Sequence, residues 1–422
     1  MQLPRSAVVV GGNRTPFAKA NGAYASASNL DLLTAALDGL VARFGLAGRE
    51  LDEVAAGAVL KHSRDFNLTR EAVLSSALAP TTPAVDLQQA CGTGLEAVIY
   101  IANKIALGQA DVGVGGGVDS ASDAPITVSE GLRRALLAAN RAKTLPQRLQ
   151  ALAGIRPAHL APVAPQVLEP RTGLSMGEHQ ARTTVSWGIT RQAQDELAAA
   201  SHHNLARAWD GGFFDDLVTP YLGVARDNIL RPDTSVEKLA ALKPVFGDTM
   251  TAGNSTALTD GAAVVLLAEQ EWARANGLPV LARIVDAQVA AVDHTSGDDL
   301  LLAPAHAVAR LLARQGMALS DFELYELHEA FASTVLATLA AWESTEFCRD
   351  RLGLDAPLGS IDRARLNVNG SSLAAGHPFA ATGGRIVATL ATLLHGRGAG
   401  GRGLVSICAA GGQGVVAILE AV

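Results

Sequence analysis

The sequence predicts an α/β protein made of two similar halves, with a less regular segment inserted into the first half. Strand-length apolar runs alternate with helical patterns along the chain, which is typical of layered α/β domains. One plan, a Gly-rich turn followed by an apolar helix and a strand, occurs near residue 91 and again near residue 376. Between residues 121 and 247 the alternation stops. A chain of 422 residues is also long enough for two or three domains.

We assign the first half to residues 1–120 and 248–283. Its opening apolar run is closed by two glycines, and we interpret it as a first buried strand and not as a signal peptide. The leucines that follow lie on one helical face. The predicted strands are Ala7–Val10, Val54–Leu60, Asp111–Val118 and Ala262–Ala268, and the predicted helices are Asn29–Phe44 and Leu95–Leu107.

Residues 121–247 are predicted to form an inserted loop domain, and residues 284–422 the second half. The inserted segment has a Pro-rich passage at Arg156–Pro170 and a polar helix at Arg191–Trp209. Thr190 is the expected N-cap of that helix. We interpret its two adjacent histidines, His202 and His203, as solvated surface.

Composition and charge exclude several classes of protein. The formal charge is 34 − 41 = −7, whereas a nucleic-acid binder normally carries a basic footprint. The cysteines Cys91, Cys348 and Cys408 are odd in number and widely spaced, so we expect no disulfide framework and a reducing, cytoplasmic location. No apolar stretch reaches membrane-spanning length, and we expect no transmembrane segment.

Cys91 and His377 are candidates for chemistry. Cys91 lies in a Gly-flanked turn at a predicted helix start, where the helix dipole and free N–H groups favour a thiolate. His377 precedes a proline, which restricts it to extended backbone, and an imidazole can serve as the base that a nucleophilic thiol needs. Taken alone, each window is also compatible with a structural role, as a buried core Cys or a structural His.

Cys408 and His328 are two further candidates. Cys408 ends an apolar strand and opens onto a Gly-rich turn whose N–H groups could receive an oxyanion. A second thiol would suit proton transfer, and a strand-end core Cys is the alternative. His328 begins the segment HEAFA. Because position 332 is Ala, the second His of the zinc-binding HExxH motif is missing, and we reject a metal site.

These motifs, in this order, resemble those of the thiolase family. The family's nucleophile motif is matched by CGTGLEA, which starts at Cys91, and its Asn/His-Glu-Ala-Phe motif by HEAFA. Its Gly-His-Pro motif is matched by NVNGSSLAAGHPFAATGGR at residues 367–385, and its last motif by CAAGG from Cys408. GGNRTPF near the start and TMTAGNSTALTDGAA in the middle also match, so the resemblance covers essentially the whole chain.

The resemblance implies a five-layered αβαβα fold of two duplicated halves, in which the inserted loop domain covers coenzyme A. It implies a 3-ketoacyl-CoA thiolase (acetyl-CoA C-acyltransferase) of fatty-acid β-oxidation, with ping-pong acyl transfer between Cys91 and CoA. His377 would activate Cys91, Cys408 would protonate the departing enolate, and His328 would help bind the thioester oxygen. The N–H groups of Cys91 and Ala410 would form a second oxyanion site. CoA is then a substrate, and no permanently bound cofactor or metal is expected.

Substrate contacts and partners are also implied by the resemblance. Thr256, next to Ser255, matches the hydroxyl that meets the pantetheine arm, Arg231 a basic residue near the nucleotide, and Met176 a residue of the acyl pocket. Ordinary packing or a solvated charge is the alternative for each. The family implies a homodimer or tetramer, and a hydratase/dehydrogenase α-subunit is a candidate partner.

Two departures from the family pattern bear on substrate choice and activity. His328 stands where many thiolases carry Asn, and this form resembles the β-subunits of trifunctional complexes, which favours longer acyl chains. Ala410 replaces a common Gly but keeps its N–H. The alternatives are a short-chain acetyl-CoA acetyltransferase, a condensing enzyme of the ketosynthase or hydroxymethylglutaryl-CoA synthase type, and a catalytically silent β-oxidation subunit. Condensing enzymes of those types lack the second Cys, and the intact candidate residues argue against a silent subunit.

One stretch is basic in this acidic chain. Residues 131–160 contain six Lys or Arg and no Asp or Glu. They could attract CoA phosphates, a partner subunit or an anionic membrane surface, while a solvated helical face is the alternative. The six residues are Arg133, Arg134, Arg141, Lys143, Arg148 and Arg156.

Overall fold

The computed structural model describes residues 5–166 and 168–422. The strands are β1 (Ala7–Arg14), β2 (Ala18–Lys19), β3 (Glu53–Ala56), β4 (Ala84–Asp86), β5 (Val112–Asp119), β6 (Thr127–Val128), β7 (Pro162–Val163), β8 (Pro244–Phe246), β9 (Met250–Thr251), β10 (Thr259–Glu269), β11 (Ala282–Ala291), β12 (Leu324–Leu327), β13 (Arg402–Ala409) and β14 (Gln413–Ala421). The helices are α1 (Asn29–Phe44), α2 (Leu68–Ser75), α3 (Thr93–Ala106), α4 (Glu130–Arg141), α5 (Leu145–Ala153), α6 (Met176–Ser186), α7 (Arg191–Asp210), α8 (Val236–Ala240), α9 (Gln270–Ala275), α10 (Ala303–Gln315), α11 (Ala332–Glu343), α12 (Thr345–Leu352), α13 (Ser372–Ala375) and α14 (Ala381–Arg397). Within these described ranges, no helix is long and apolar enough to cross a membrane.

Both halves repeat one strand connectivity. In the first half β3 pairs parallel with β5, β5 antiparallel with β10, and β10 antiparallel with β1. In the second half β12 pairs parallel with β13, β13 antiparallel with β14, and β14 antiparallel with β11. The two sets of strands join where Val8 and Val9 of β1 pair with β11. The duplication predicted from the two similar turn–helix–strand stretches is confirmed.

The helices and strands form the five layers expected for this fold. α1 and α2 cover the strands of the first half, and α10 covers those of the second half. α3 and α14 lie between, where α14 contacts strands of both halves. β1 and β5 are buried along their whole length, as expected for strands that are covered on both faces.

The two central helices touch through glycine. A Cβ on Gly94 of α3 would lie 3.0 Å from the amide nitrogen of Gly384 in α14. A Cβ on Gly383 of α14 would lie 2.6 Å from the carbonyl carbon of Gly94. Only a residue without a side chain permits such an approach between backbones. The first turns of α3 and α14 are therefore held against each other.

Most predicted elements of the first half are confirmed, and one is shorter than predicted. α1 has the predicted bounds and begins at the N-cap Ser28. β3 ends at Ala56, whereas the prediction extended the strand to Leu60. The reason is a competing acceptor, since the amides of Val59 and Leu60 donate to the carboxylate of Asp119, at 3.0 and 2.7 Å, and not to a neighbouring strand.

The segment 121–247 is built mainly of helices α4 to α8. α7 begins where predicted, and the Thr190 side chain accepts from the Ala193 amide at 3.2 Å. A buried ion pair of 2.6 Å between Arg14 and Asp227 ties this segment to β1. In contrast, α4 and α5 contain no buried residue.

His202 corrects one sequence-based interpretation. It is buried and not solvated, because α7 turns this face towards the loop that contains Arg231. Its Nδ1 accepts a hydrogen bond of 3.2 Å from the Arg231 amide. Burial lowers the pKa of His202 to about 4.

Candidate active site

The turn that carries Cys91 is fixed by its neighbours. Ala90 adopts a φ of +46°, a left-handed backbone conformation that residues other than glycine rarely adopt. The Thr93 hydroxyl donates to the Ala90 carbonyl at 2.7 Å and accepts from the Gln89 amide at 2.8 Å. A strained residue of this kind persists only where its surroundings determine it, and such residues cluster at functional sites.

Cys91 and Cys408 lie together. Gln89 donates to the side-chain oxygen of Gln413 at 3.0 Å, which ties the Cys91 turn to the β13–β14 hairpin. Burial raises the pKa of Cys91 to about 12, although the backbone N–H groups of Ala410 and of Cys91 itself oppose this shift by hydrogen bonding to the sulfur. Burial, and then the neighbouring Cys91, raise the pKa of Cys408. Both groups are therefore thiols in the resting site.

The imidazoles of His328 and His377 lie side by side as a tilted pair. Their ring centroids are 4.1 Å apart with the planes tilted by 46°. Each ring bonds a hydroxyl through Nδ1, Ser372 for His328 at 2.8 Å and Thr382 for His377 at 2.5 Å. The Nε2 atom of each ring is buried and has no partner among the described residues. Both Nε2 atoms therefore remain available to a bound molecule.

Both imidazoles are neutral. Burial lowers the pKa of His377 to about 3, and the charge of Arg385 acts in the same direction. The pKa of His328 is well below its usual range, first because of burial and then because of His377 and Arg385. Neither ring therefore carries the second proton of an imidazolium at neutral pH unless a reacting group supplies it.

One segment, from Asn254 to Thr259, holds both histidine loops. The Thr256 amide donates to the carbonyl of Ala330, two residues after His328, at 3.1 Å. The Thr259 hydroxyl accepts from the His377 amide at 2.8 Å. The tilted histidine pair is therefore held through the backbone of its two loops by a shared middle segment.

The structure brings all four predicted side chains to one place. Gly94, three residues after Cys91, lies against the carbonyl of Ala380, which is three residues after His377. Cys408 packs against Ala330 of the HEAFA segment. The two thiols and the two imidazoles thus share the junction between the halves.

A cavity of about 650 Å³ adjoins this junction and contains three of the predicted CoA-contacting residues. Ser255 lines it with a buried hydroxyl oxygen that has no partner among the described residues. Thr256 also lines it, and its hydroxyl donates to the Ser372 carbonyl at 2.8 Å. Arg231 stands exposed at the cavity, together with Lys19 and Lys238. The cavity therefore offers polar groups inside and positive charge at its mouth.

Met176 lies apart from that cavity. It is the first residue of α6 and packs, with Phe331, on the apolar cluster that includes Cys408. Leu300 and Leu301 belong to the same cluster. The structure therefore places Met176 beside the cluster of Cys408 and not in the cavity of Ser255 and Thr256.

Several supporting residues escaped the sequence analysis. Asp119 accepts from the Ala380 amide at 2.9 Å, and burial raises its pKa to about 7. Glu329 accepts from Ser201 and Asn367, each at 2.7 Å. Arg385 is buried beside His328 and donates to Ser372 at 3.0 Å. A sequence signal existed for Arg385, which is the only charged residue of helix α14 before its last turn.

The duplicated α/β fold, with thiols and imidazoles where the two halves meet, defines an acyltransferase. Family models described as thiolase N-terminal domain and thiolase C-terminal domain match residues 7–271 and 278–421. The chain belongs to the thiolase family.

Relatives and solved structures agree with this assignment. A protein named 3-ketoacyl-CoA thiolase from Pectobacterium atrosepticum is 41% identical over 97% of this chain and 95% of its own. One of the same name from Yersinia pestis is 40% identical over 98% and 96%. The crystal structure of Bacillus anthracis acetyl-CoA acetyltransferase matches all of both chains with a TM-score of 0.83 and 30% identity. Acat5 thiolase from Ascaris suum, solved in complex with coenzyme A, matches 99% of this chain and 100% of its own with a TM-score of 0.80 and 26% identity.

Proposed function

We propose that this chain is a 3-ketoacyl-CoA thiolase that transfers an acyl group between Cys91 and coenzyme A in fatty-acid β-oxidation. The observation that carries the proposal is the cluster of two thiols and two imidazoles, in which both Nε2 atoms are buried and without a partner in the described chain. The relatives named 3-ketoacyl-CoA thiolase, about 40% identical over nearly the whole chain, support the same activity.

In the degradative direction, the Cys91 sulfur attacks the ketone carbon of a 3-ketoacyl-CoA and passes its proton to His377 Nε2. The bond between C2 and C3 then breaks, and its electron pair forms the enolate of acetyl-CoA. Cys408 protonates that enolate, and acetyl-CoA leaves. A second CoA gives its thiol proton to Cys408 and attacks the acyl–Cys91 thioester. His377 returns its proton to the Cys91 sulfur, and both thiols are restored.

The neutral resting state has a mechanistic consequence. Because the pKa of Cys91 is raised to about 12 and that of His377 is lowered to about 3, proton transfer between them is unfavourable before substrate binds. The transfer becomes favourable only when the negative charge can move onto a stabilised substrate oxygen.

Two sets of donors would stabilise that charge. The N–H groups of Cys91 and Ala410, which already hydrogen bond to the sulfur, would form one oxyanion site. His328 would serve the thioester oxygen. Loss of a single donor of this type typically costs about 3–4 kcal/mol of transition-state stabilisation.

CoA would occupy the 650 Å³ cavity. The unpartnered hydroxyl of Ser255 and that of Thr256 are suited to the pantetheine amides, and Arg231 to the phosphates. Met176 and its apolar neighbours would contact the acyl chain. We propose residues 121–247 as the inserted domain that covers CoA, between a first half at residues 1–120 and 248–283 and a second half at residues 284–422.

A second candidate function is biosynthetic condensation by a short-chain acetyl-CoA acetyltransferase. It is supported by the 30% identity to the Bacillus anthracis protein of that name. The same residues would run the reaction in reverse, with Cys408 removing the proton from the methyl group of acetyl-CoA.

The location and partners form part of the same proposal. We propose a cytoplasmic homodimer or tetramer, with a hydratase/dehydrogenase α-subunit as a candidate partner. The described cysteines are free thiols, which fits a reducing compartment. The exposed helices α4 and α5 carry the basic stretch, and we propose them as the contact with a partner or an anionic membrane surface.

The test is CoA-dependent cleavage of 3-ketoacyl-CoA across a chain-length series. Activity should vanish in Cys91→Ala and persist in Cys348→Ala, which removes a buried thiol of α12 outside the site. A profile that favours long chains supports the β-oxidation enzyme, and one restricted to four carbons supports the acetyltransferase. Absence of cleavage at every length in folded wild-type protein would contradict both.

A further inference from the structure

A buried chain of hydrogen bonds leads from Arg385 to His328. The Arg385 Nη2 atom lies 3.0 Å from the hydroxyl oxygens of both Ser371 and Ser372. The Ser372 hydroxyl in turn lies 2.8 Å from Nδ1 of His328. Arg385, Ser372 and His328 are each at most 4% exposed, so water does not compete for these bonds.

The direction of these bonds follows from what each group can donate. A guanidinium only donates, so Ser372 must accept from Arg385. The single hydrogen of the Ser372 hydroxyl can then be donated to Nδ1 of His328. The opposite arrangement, with a hydrogen on Nδ1, would leave the buried Ser372 hydroxyl hydrogen without an acceptor among the described residues. Buried polar groups rarely remain unpaired in this way.

A neutral imidazole that accepts at Nδ1 carries its hydrogen on Nε2. His328 is neutral because burial lowers its pKa far below the usual range. Its Nε2 is a buried atom without a partner among the described residues, and its ring lies beside that of His377. His377 differs, since its Nδ1 bonds the Thr382 hydroxyl, and no arginine donates to that hydroxyl in the described chain. The Thr382 hydroxyl is therefore not held by an arginine in the way that the Ser372 hydroxyl is.

We propose that Ser372, oriented by Arg385, is a positioning residue that fixes His328 as the Nε2–H tautomer. His328 then donates a hydrogen bond to the substrate oxygen and cannot act as a base through Nε2. The catalytic part of this inference rests on the proposed function, but the tautomer does not.

A double-mutant cycle tests the catalytic part. Ser372→Ala should lower kcat for thiolysis by roughly 10- to 100-fold, because loss of a complete oxyanion donor costs about 10²–10³-fold and here the donor is only released from its orientation. KM should change little. Ser371→Ala is the matched control, since it removes the other bond to Arg385 and leaves His328 untouched. It should remain close to wild type.

The cycle uses His328→Asn as its background. If Ser372 acts through His328, Ser372→Ala should cause no further loss of kcat in that background, because interacting residues are not additive. A penalty for Ser372→Ala that persists undiminished there, or a Ser371→Ala penalty of equal size, would overturn the proposal.

Nitrogen-15 NMR of histidine-labelled protein gives a readout that needs no activity. The His328 ring signals are assigned by their loss in His328→Asn. Wild type and Ser371→Ala should show a protonated Nε2 and an unprotonated Nδ1, and Ser372→Ala should show a mixture of tautomers. A protonated Nδ1 in wild type would overturn the inference. Absence of turnover in wild type, with Nε2–H observed, would instead contradict the proposed function alone.

Discussion

Gly383→Ala should destabilise the protein and slow catalysis together. The new Cβ would overlap the Leu95 amide nitrogen and lie 2.6 Å from the Gly94 carbonyl carbon. Carbon atoms pack at about 3.5–4.0 Å, so α3 and α14 would have to separate by roughly 1 Å. Because these two helices begin just after Cys91 and His377, the separation would pull Cys91, the proposed nucleophile, away from His377, its proposed base.

The size of the effect can be bounded. Overpacking a dense interior costs about 1–3 kcal/mol, and we expect the upper end because the obstacle is backbone that no rotamer change can move. The higher helix propensity of alanine offsets at most about 1 kcal/mol of this loss in the free energy of unfolding. The net loss in the free energy of unfolding is therefore about 2 kcal/mol.

Gly396→Ala in the same helix is the matched control. Nothing lies within 4 Å of a Cβ at Gly396, so this change should be neutral or stabilise by up to about 1 kcal/mol. Urea denaturation midpoints give the stability, and the rate of Cys91 alkylation together with kcat for thiolysis reports on the site. The close-approach argument is refuted if Gly383→Ala is as stable and as active as Gly396→Ala.

Other perturbations test the electrostatics of the molecule. His202, His328 and His377 have pKa values lowered below the ordinary 6.5, so the folded state binds fewer protons than the unfolded chain as pH falls below about 6.5. Their contribution to stability is complete above that pH and is lost on acidification. The urea midpoint of wild type should therefore be lower at pH 5 than at pH 7.5, and His202→Gln should reduce this difference. Equal midpoints in wild type would contradict this reasoning. Asp119→Asn should lower the free energy of unfolding by about 1–3 kcal/mol and also lower kcat, because an amide cannot accept hydrogen bonds from all the N–H groups of Val59, Leu60 and Ala380. An unchanged urea midpoint would exclude a supporting role for Asp119. Neutralising Arg133, Arg134 and Arg141 should weaken CoA affinity, subunit assembly or liposome binding. Arg141 should account for the larger part of this loss, because Glu130 already bonds the other two arginines. A variant unchanged in all three assays would show that the basic stretch is only a solvated face.

Local signals in the sequence were sufficient for much of the fold. α1 and α7 were predicted because their caps and apolar spacing are local properties of the chain. The duplication was visible because both central helices follow Gly-rich turns that must fit the same close packing. The four motif residues became candidates because their motifs, in this order along the chain, resemble those of the thiolase family, although each window alone is also compatible with a structural role.

Long-range contacts explain what the sequence did not reveal. His202 lies on a helix with a polar sequence, yet that face packs against a loop 29 residues away. The bond from Arg385 to Ser372 links residues 13 apart in a region that reads as apolar and small. Asp119 reaches a residue of the other half, 261 positions away. No periodicity or local motif indicates such partners before the halves are assembled.

The duplication also explains why neither half contains a complete site. β5 and β13 occupy equivalent places, each paired parallel with one neighbour and antiparallel with the next. At the end of β5, Asp119 accepts from Ala380, in the turn that follows His377 in the other half. Just after β13, the N–H of Ala410 reaches the sulfur of Cys91, again in the other half. Each half thus supports the turn of the other half that carries a proposed catalytic residue, Cys91 or His377.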